Sequence, residues 1–282
     1  MDALARIAFV TCADMPKPDS DAERLMAACG VPVDLVSWDA DVDWSVYRCV
    51  VLRSPWDYHT RLPGFLAWAR RVDALTRLLN PLPVIEWNSH KRYLFELAAG
   101  GVDIVPTRFI EQFSRQPEAA LAEFGGREVV LKPAVSIGAF GAFRGPADST
   151  ACAAHLHALL AGGDVLLQPF VPGIADGEVS LIYFGGCFSH AVRKVPKAGD
   201  YRCQDIWGGV ASAHAPAADE LALAEAALAA APAGCAYARV DMLRLDGRPV
   251  LIELELIEPS LFLDSAPGSE RALARLLLAA AS

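Results

Sequence analysis

The sequence lacks any apolar run long enough to cross a membrane. A membrane-spanning helix needs about 20 consecutive apolar residues, whereas the apolar run near the start of the chain covers only Ile7 to Val10. So short a run is typical of a buried first strand and not of a signal peptide. We therefore expect a first β-strand here and no association with a membrane.

Paired cysteines are also missing. The seven cysteines are scattered, their number is odd, and the sequence contains no Cys-x-x-Cys motif. Disulfide frameworks use even numbers of cysteines, and structural zinc sites use closely spaced ones. The pattern favours reduced thiols, which are the rule in the cytosol, and it predicts a cytoplasmic protein.

Positive charge is scarce as well. The 282 residues include 25 Lys and Arg against 34 Asp and Glu, which gives a formal net charge of −9. A non-specific nucleic-acid binder needs a basic face to neutralise phosphates, so we expect no nucleic-acid partner. Charged residues make up only 21% of the chain and hydrophobic residues 54%, so wholesale disorder is excluded. The length of 282 residues allows two or three compact lobes.

The first part of the chain alternates between strand and helix patterns. Apolar runs predict strands over Arg6–Val10, Val33–Val36 and Tyr47–Leu52, and apolar residues at helical spacing predict helices over Asp21–Cys29 and Pro63–Leu79. Such alternation is typical of a parallel sheet covered by helices, and it predicts an α/β fold class here.

The middle of the chain carries a helix and two strands of interest. A helix is predicted over Lys91–Ala99, with Asn88 or Ser89 as its N-cap. A strand over Glu128–Leu131 leads into Lys132, and another follows over Val165–Phe170.

The last third reads as largely antiparallel. Two hairpins are predicted, Glu178–Phe184 with Cys187–Val195 and Tyr237–Leu245 with Pro249–Ile257, around Gly-Gly and Asp-Gly turns. The whole chain is therefore expected to combine an α/β part with α+β lobes.

The second hairpin is acidic. Alternation along the strands places Arg239 beside Asp241, and Glu253 beside Glu255. A three-residue loop at residues 246–248 would set Asp241 opposite Glu253. Arg239 would then face Glu255, whereas a two-residue loop would separate the acids. The opposite face is predicted to hold Val240, Met242, Ile252 and Leu254.

Three facing carboxylates repel one another and raise each other's pKa values, so this face needs a cation. Mg²⁺ prefers oxygen ligands of this kind and usually shares them with substrate phosphates. The alternative is a solvated face on which Arg239 pairs with an acid.

Two loops could contact a nucleotide. The small-residue loop Ala134–Gly145 follows Lys132 and could bring backbone amides to phosphates. The segment Gln168–Gly173 could hold an adenine edge, with Glu178 on the ribose. An ordinary flexible loop and a linker between lobes are the respective alternatives.

Several basic residues could face the same site: Lys91, Arg193, Lys194, Lys197 and Arg202. Arg193 and Lys194 are neighbours in a strand, so their side chains point to opposite faces and at most one faces the acidic hairpin. For each of these residues the alternative is a solvated side chain.

The order and spacing of these features resemble the ATP-grasp superfamily. The shared pattern runs from Asn88 to about Ser260, in the segments NSHKRYLFELAAGGVDIVPT, EVVLKPAVSIGAFGAF, VLLQPFVPGIADGEVS, AVRKVPKAGDYRCQ and YARVDM…VLIELELIEPS. The resemblance implies an ATP-grasp fold with a Rossmann-like N-terminal domain over residues 1–86. A central ATP-binding lobe would span residues 87–170, and a C-terminal lobe with the metal site would span residues 171–282.

The resemblance also implies roles for individual residues. The expected ATP contacts are Lys91, Lys132, Ser136, Gly138, Gln168, Phe170, Val171 and Glu178. The expected ligands of one or two Mg²⁺ ions, which Mn²⁺ could replace, are Asp241, Glu253 and Glu255. Many members have Asn at the last of these positions, but Glu also supplies a hard oxygen. The expected catalytic residues, which stabilise the transferred phosphoryl group, are Arg239 with Arg193 or Arg202.

The N-terminal segments TCADMP and RSPWDYH look similar to those of the O-ureido-D-serine cyclo-ligases, the D-cycloserine synthetase group. We expect a small amino-acid-like substrate to bind beside them, at strand ends. The candidate contacts are Arg53, Ser54, Asp14 and Tyr58, and Arg53 could hold a carboxylate with two hydrogen bonds. The alternative is a capped loop with Trp56 packed inward.

This resemblance implies phosphorylation of the O-ureido-D-serine carboxylate and ring closure by the substrate's own nitrogen, with loss of the carbamoyl group. The alternatives are an intermolecular ligase similar to glutathione synthetase or D-alanine–D-alanine ligase, and an ATP-binding regulatory protein without catalysis. A homodimer is the expected assembly, because twofold dimers are the commonest soluble oligomers.

Overall fold

The computed structural model describes residues 6–282, and the first five residues of the predicted N-terminal domain lie outside this part. The strands are β1 Ile7–Thr11, β2 Val33–Ser37, β3 Cys49–Ser54, β4 Arg77–Leu79, β5 Arg108–Ile110, β6 Glu128–Pro133, β7 Phe143–Pro146, β8 Val165–Pro169, β9 Glu178–Phe184, β10 Cys187–Val195, β11 Val210–His214, β12 Tyr237–Leu245 and β13 Arg248–Glu255. The helices are α1 Ser20–Cys29, α2 Leu62–Asp73, α3 Leu82–Asn88, α4 Tyr93–Ala99, α5 Glu118–Ala122, α6 Thr150–Leu160, α7 Ala218–Ala230 and α8 Glu270–Ala281.

The N-terminal part forms a four-stranded parallel sheet in the order β2-β1-β3-β4, as the strand–helix alternation predicted. One face packs against α2 through an aromatic cluster in which the Trp38 and Phe65 rings lie 5.7 Å apart. All six residues of β3 are buried, so the segment that follows it is anchored in the core.

The helix predicted to continue to Leu79 is wrong beyond Asp73. Leu78 and Leu79 instead belong to β4 and pair in parallel with Val50 and Val51 of β3. Both leucines continue the apolar spacing of the helix, so periodicity alone could not separate a buried strand from a further helical turn.

Two antiparallel sheets make up the rest of the chain. The central sheet has the order β5-β8-β6-β7 and packs on α6, whose Leu156 is fully buried. The C-terminal sheet has the order β11-β10-β9-β12-β13, and it contains both hairpins predicted from the turn residues. Helices α4 and α7 cover one of its faces, where Leu97 and Ala224 join the core.

The predicted N-cap at Asn88 or Ser89 is wrong, because α4 begins only at Tyr93 and a separate short helix ends at Asn88. The Asn88 amide donates to the Leu254 carbonyl at 2.7 Å and accepts from the Leu256 amide at 2.8 Å. It therefore joins α3 to the acidic hairpin. Lys91 lies between the two helices, and its backbone amide donates to the Ala134 carbonyl at 2.8 Å.

Two segments pack across the predicted domain boundaries. Helix α8, from the end of the chain, packs on α1 of the N-terminal part through Leu273 and Leu277. Ile104 forms a parallel bridge with Leu251 of β13. The division at residues 86 and 170 remains a prediction.

None of the helices within residues 6–282 is both long and apolar enough to cross a membrane.

Candidate active site

The acidic hairpin forms one wall of a cleft that the N-terminal part and both antiparallel sheets enclose. Asp241 pairs with Glu253 and Arg239 with Glu255, as predicted. The three-residue loop predicted to produce this pairing is wrong, because the turn has only two residues and Leu245 pairs with Arg248.

A β-bulge restores the register that the short turn would have lost. The pairing skips Ile252, so that Met242 faces Leu251 and the acids beyond the bulge come into line. Ile252 was predicted to join the buried side of the hairpin, and this prediction is wrong. It packs beside Leu243 and Phe170 and lines the cleft.

Arg239 is the main cation of the acidic wall. Its guanidinium donates to both carboxylate oxygens of Asp241, at 2.9 and 2.8 Å, and also bonds Glu255. Burial alone would raise the pKa of Asp241, but Arg239 and then Lys194 outweigh it and hold that pKa well below its usual range. Burial raises the pKa of Glu255 to about 7, against the opposing effect of Arg239.

Lys194 is a second buried cation, and the sequence analysis assigned it no role. Its ammonium group bonds Glu178 and lies 3.4 Å from Asp241. Burial alone would lower the pKa of Lys194, but Asp241 and Glu178 raise it above its usual value. Strand alternation predicted that only one of two neighbours faces the acids, and the structure selects Lys194.

Arg193 points away from the cleft. Its guanidinium donates to the Asp176 carbonyl at 3.1 Å, and its stem lies against Gly177. The structure therefore does not bring this predicted catalytic residue to the acidic wall. Arg202 does line the cleft, where it pairs with Asp200 and lies 3.6 Å from the centre of the Trp207 ring.

Two lysines face the acidic wall, as predicted. The Lys91 ammonium donates to the Ser136 carbonyl at 2.6 Å and lies 3.1 Å from Glu253. Lys132, at the end of β6, has no carboxylate within salt-bridge distance among the described residues. Burial lowers its pKa, while Glu253 acts in the opposite direction.

The small-residue loop covers the cleft. Gly138 and Gly141 adopt φ values of +55° and +71°, and a Cβ on Gly141 would lie 2.8 Å from the Pro133 side chain, so the loop requires glycine there. At its tip, Phe140 is 60% exposed and its ring centre lies 5.0 Å from that of His59 in the N-terminal part.

Part of the cleft has largely apolar walls. The buried Gln168 amide donates to the Thr107 hydroxyl at 2.9 Å, and Phe170 is stacked under the Arg144 guanidinium at 3.5 Å. The apolar side chains around this space are Val105, Val130, Phe170, Val171, Ile174, Leu243 and Ile252. Its apolar walls and few polar groups are typical of a pocket for a planar ring.

Of the predicted substrate contacts, only Tyr58 lines the cleft. Arg53 is 1% exposed and donates to the Pro259 carbonyl at 3.0 Å. Ser54 is fully buried and donates to the Thr11 hydroxyl at 3.3 Å, whereas Asp14 is exposed and lies outside the cleft.

Residues that the sequence analysis did not select also line the cleft. On the N-terminal side they are Pro16, Lys17 and Trp56, and beyond the acidic hairpin they are Glu258 and Ser260. Lys17 bonds Asp205, which joins the N-terminal part to the segment that carries Arg202. Pro16, Trp56, Glu258 and Ser260 lie inside the segments that carry the resemblance, but nothing in their spacing distinguished them from their neighbours.

The acidic wall has the donor chemistry for a hard cation. In the part of the chain that the structure describes, no three acidic, His or Cys side chains already converge on a metal position. Instead Asp241 and Glu255 bond Arg239, and Glu253 lies beside Lys91. Three carboxylates that need this much compensating positive charge fit a divalent ion, which favours oxygen ligands.

Comparison with known proteins gives two families that match different parts of the chain. Residues 7–80 match the family described as D-cycloserine synthetase DcsG, N-terminal domain. Residues 101–259 match the family described as prokaryotic glutathione synthetase, ATP-grasp domain. The second match covers the cleft from the strand before the small-residue loop to the acidic hairpin.

Individual relatives extend over nearly the whole chain. The cycloserine biosynthesis protein DcsG of Streptomyces lavendulae is 36% identical over an alignment that covers 96% of this chain and 98% of that protein. The crystal structure of D-cycloserine synthetase DcsG matches with a TM-score of 0.88 and 33% identity, and the match covers 99% of this chain and 100% of that one.

A D-alanine–D-alanine ligase from Bacillus anthracis matches with a TM-score of 0.72, over 98% of this chain and 97% of that one, at only 13% identity. This match shows the fold alone and confirms the predicted ATP-grasp architecture. The two matches to DcsG over nearly the whole chain and the ATP-grasp family match together show that the chain belongs to the DcsG family of ATP-grasp proteins and is an ATP-dependent carboxylate–amine ligase.

Proposed function

We propose that this ligase converts O-ureido-D-serine to D-cycloserine, with ATP as the phosphoryl donor. The observation that carries the proposal is the similarity to DcsG through the N-terminal part, which matches the DcsG family by itself. That part supplies Trp56 and Tyr58 to the cleft, opposite the acidic hairpin, where a substrate would meet the triphosphate.

The nucleotide would lie along the apolar space and the two lysines. We assign the adenine to the space beside Gln168, Phe170 and Val171, because its walls are apolar and the amide supplies one fixed polar group. We assign Glu178 to the ribose, because it lines the same cleft and Lys194 fixes its carboxylate.

The phosphates would lie between the lysines and the small-residue loop. Lys91 and Lys132 supply positive charge, and Ser136 and Gly138 belong to a loop whose backbone can approach closely. Asp241, Glu253 and Glu255 would hold one or two Mg²⁺ ions, which neutralise phosphate charge during transfer.

In the first step, a substrate carboxylate oxygen attacks the γ-phosphorus of ATP. The bond from that phosphorus to the ADP oxygen breaks, and an acyl phosphate forms. Arg239 is buried in the wall beside Glu255, and Arg202 lines the same cleft, so both can stabilise the negative charge of the transferred group.

In the second step, the oxygen-bound nitrogen of the substrate attacks the acyl carbon and closes a five-membered ring. Phosphate leaves with the electron pair of its bond to that carbon. Hydrolysis of the N-carbamoyl group consumes one water and releases carbon dioxide and ammonia. Closure of the small-residue loop excludes water until the ring has formed, because the acyl phosphate would otherwise hydrolyse.

The test is ADP release by the purified protein with Mg-ATP and O-ureido-D-serine, with no added amine. We expect one ADP for each D-cycloserine formed. If the protein released ADP only with another acid and a separate amine, the cyclo-ligase proposal would be overturned and the carboxylate–amine ligase assignment would remain.

A variant of the acidic wall separates catalysis from nucleotide binding. In Asp241→Ala, Arg239 and Lys194 lose a shared carboxylate, and phosphoryl transfer should be lost. A protein that only bound ATP as a regulator would show no ADP release before or after the substitution.

A further inference from the structure

Glu258 follows the acidic hairpin by three residues and lines the same cleft. Its carboxylate has no Lys, Arg or His nitrogen within salt-bridge distance in residues 6–282. Every other carboxylate of the acidic wall has such a partner: Glu178 and Asp241 have Lys194, Glu253 has Lys91, and Glu255 has Arg239. Among these acids Glu258 is therefore the one without a direct ion pair in the described residues, and Lys91 and Arg239 act on it only at longer range.

The backbone around Glu258 is held in place from several sides. The Tyr237 hydroxyl donates to the Leu52 carbonyl at 2.7 Å and lies 3.2 Å from the Ile257 carbonyl, and Arg53 donates to the Pro259 carbonyl at 3.0 Å. Arg239 donates to the Ser260 carbonyl at 3.2 Å. Three buried side chains thus fix a short segment whose own acidic side chain remains without a partner.

This arrangement explains where Arg53 acts. Arg53 was predicted to bind substrate directly, but the residue is buried and bonds the segment that carries Glu258. Arg53 is therefore a positioning residue, and the group that it positions toward the cleft is a carboxylate.

A partly buried carboxylate without a direct ion pair favours a cation. Burial raises the pKa of Glu258 to about 8, and the nearby Glu255 adds to the effect. On the other side of the cleft, the pKa of the Tyr58 hydroxyl is raised by burial and next by Glu258, which places the two side chains within electrostatic reach. Among the described residues, no Lys, Arg or His side chain of the N-terminal part forms a salt bridge with Glu258.

We propose that Glu258 binds the α-ammonium group of the amino-acid substrate and so selects amino acids over simple carboxylic acids. The inference rests on the proposed function, because it assigns the substrate's carboxylate to the triphosphate side of the cleft. The ammonium group is one carbon away from that carboxylate. Glu258 follows Glu255 by three residues, lines the same cleft, and lies within electrostatic reach of Tyr58 from the N-terminal part.

The test compares two probes by titration calorimetry in the presence of Mg²⁺ and the non-hydrolysable ATP analogue AMPPNP. The probes are O-ureido-D-serine and its desamino analogue 3-(ureidooxy)propanoate. The wild type should bind the amino probe about 30-fold more tightly or better, because removal of one partner of a buried charge pair costs at least that much. In Glu258→Gln the preference should fall below about threefold.

Two further variants serve as controls. Glu258→Asp keeps the charge and should retain a preference for the amino probe, which also covers the case in which the glutamine variant does not fold. Glu225→Gln makes the same change at an exposed position on α7 and should bind both probes as the wild type does.

The outcomes are distinct. Equal binding of both probes by the wild type, or an unchanged preference in Glu258→Gln, would overturn the role of Glu258 while leaving the proposed function intact. If Glu258→Gln needed more Mg²⁺ but kept its preference for the amino probe, Glu258 would be a metal contact. That outcome would also overturn its proposed role in binding the ammonium group. If neither probe bound, the proposed function would fail, and the inference with it.

Discussion

The Lys91 ammonium group lies 3.1 Å from the Glu253 carboxylate and at the same time 2.6 Å from the Ser136 carbonyl. One side chain therefore joins the acidic wall to the small-residue loop. In the proposed function, oxygens of the entering triphosphate would replace the Ser136 carbonyl as acceptors, and Lys91 would neutralise charge that develops during phosphoryl transfer.

Substitution of Lys91 by Met should reduce kcat for ADP release by about 10²–10³-fold, the usual cost of losing one such donor. Steady-state ADP release with Mg-ATP and O-ureido-D-serine measures the effect. Lys197→Met is the matched control, because Lys197 is exposed and forms no salt bridge within the described part of the chain. Equal rates in the two variants would contradict the role of Lys91.

The residues around Lys91 show how far the sequence leads. The ATP-grasp fold was predicted because the order of the lysines, the small-residue loop and the acidic hairpin resembles that superfamily, and each of these motifs is recognisable from local sequence. The helix boundary at Asn88 was not predictable, since that side chain forms hydrogen bonds to Leu254 and Leu256, more than 160 positions away. Long-range partners of this kind leave no local pattern.

Lys194 and Arg193 form a natural pair for comparison, because they are adjacent but face opposite sides of β10. Lys194→Met leaves Glu178 and Asp241 without a shared cation in a buried site, which should destabilise the protein by about 3–5 kcal/mol. Arg193→Met removes only a hydrogen bond to the Asp176 carbonyl, and its cost should be about 1 kcal/mol. Urea unfolding of both variants gives the two free energies.

The same pair tests the placement of the active site. Arg193→Met should keep ADP release near the wild-type rate, whereas any folded Lys194→Met protein should have a raised KM for ATP through the loss of order at Glu178. A large loss of activity in Arg193→Met with normal stability would show that the outward-facing residue takes part in catalysis after all.

The bulge at Ile252 marks the limit of register prediction. The pairing of Asp241 with Glu253 was predicted from a longer turn, and the structure reaches it by a two-residue turn and one skipped residue. Both solutions place the same acids together, because the residue skipped at the bulge replaces the third residue of the longer turn. A sequence pattern fixes which side chains alternate, but a bulge depends on packing between strands.

The tip of the small-residue loop gives a third prediction. The Phe140 ring lies against His59, and the Trp207 ring nitrogen donates to the Gly138 carbonyl at 3.3 Å, so the loop contacts both walls of the cleft. Phe140→Ala should weaken closure and admit water to the acyl phosphate. The ratio of ADP released to D-cycloserine formed should be one in the wild type and severalfold higher in this variant.

Phe113→Ala is the control for this effect, because Phe113 is 89% exposed and lies outside the cleft. Its ratio of ADP to product should stay at one. A ratio of one in Phe140→Ala as well would mean that the loop tip does not protect the intermediate.

The fourth prediction concerns stability and pH, and it needs no substrate. The pKa of Glu258 is about 8 in the folded protein, raised by burial and by Glu255, whereas an unfolded glutamate titrates near 4.3. Because the folded value is the higher, the folded state holds this proton more tightly. Its contribution to stability is complete below about pH 4.3 and is lost as the pH rises toward 8.

Glu258→Gln removes this contribution together with its effect on the neighbouring Glu255, whereas the histidines and buried thiols titrate alike in both proteins. The free energy of unfolding of the wild type minus that of the variant should fall between pH 5.5 and pH 8, by up to about 1.4 kcal/mol per pH unit. Urea unfolding without Mg²⁺ or nucleotide measures this difference, and Glu225→Gln should leave the wild-type profile unchanged. A difference that stays constant or grows with pH would mean that the Glu258 carboxylate is already compensated in the ligand-free protein, and the case for an ammonium partner would lose its electrostatic basis.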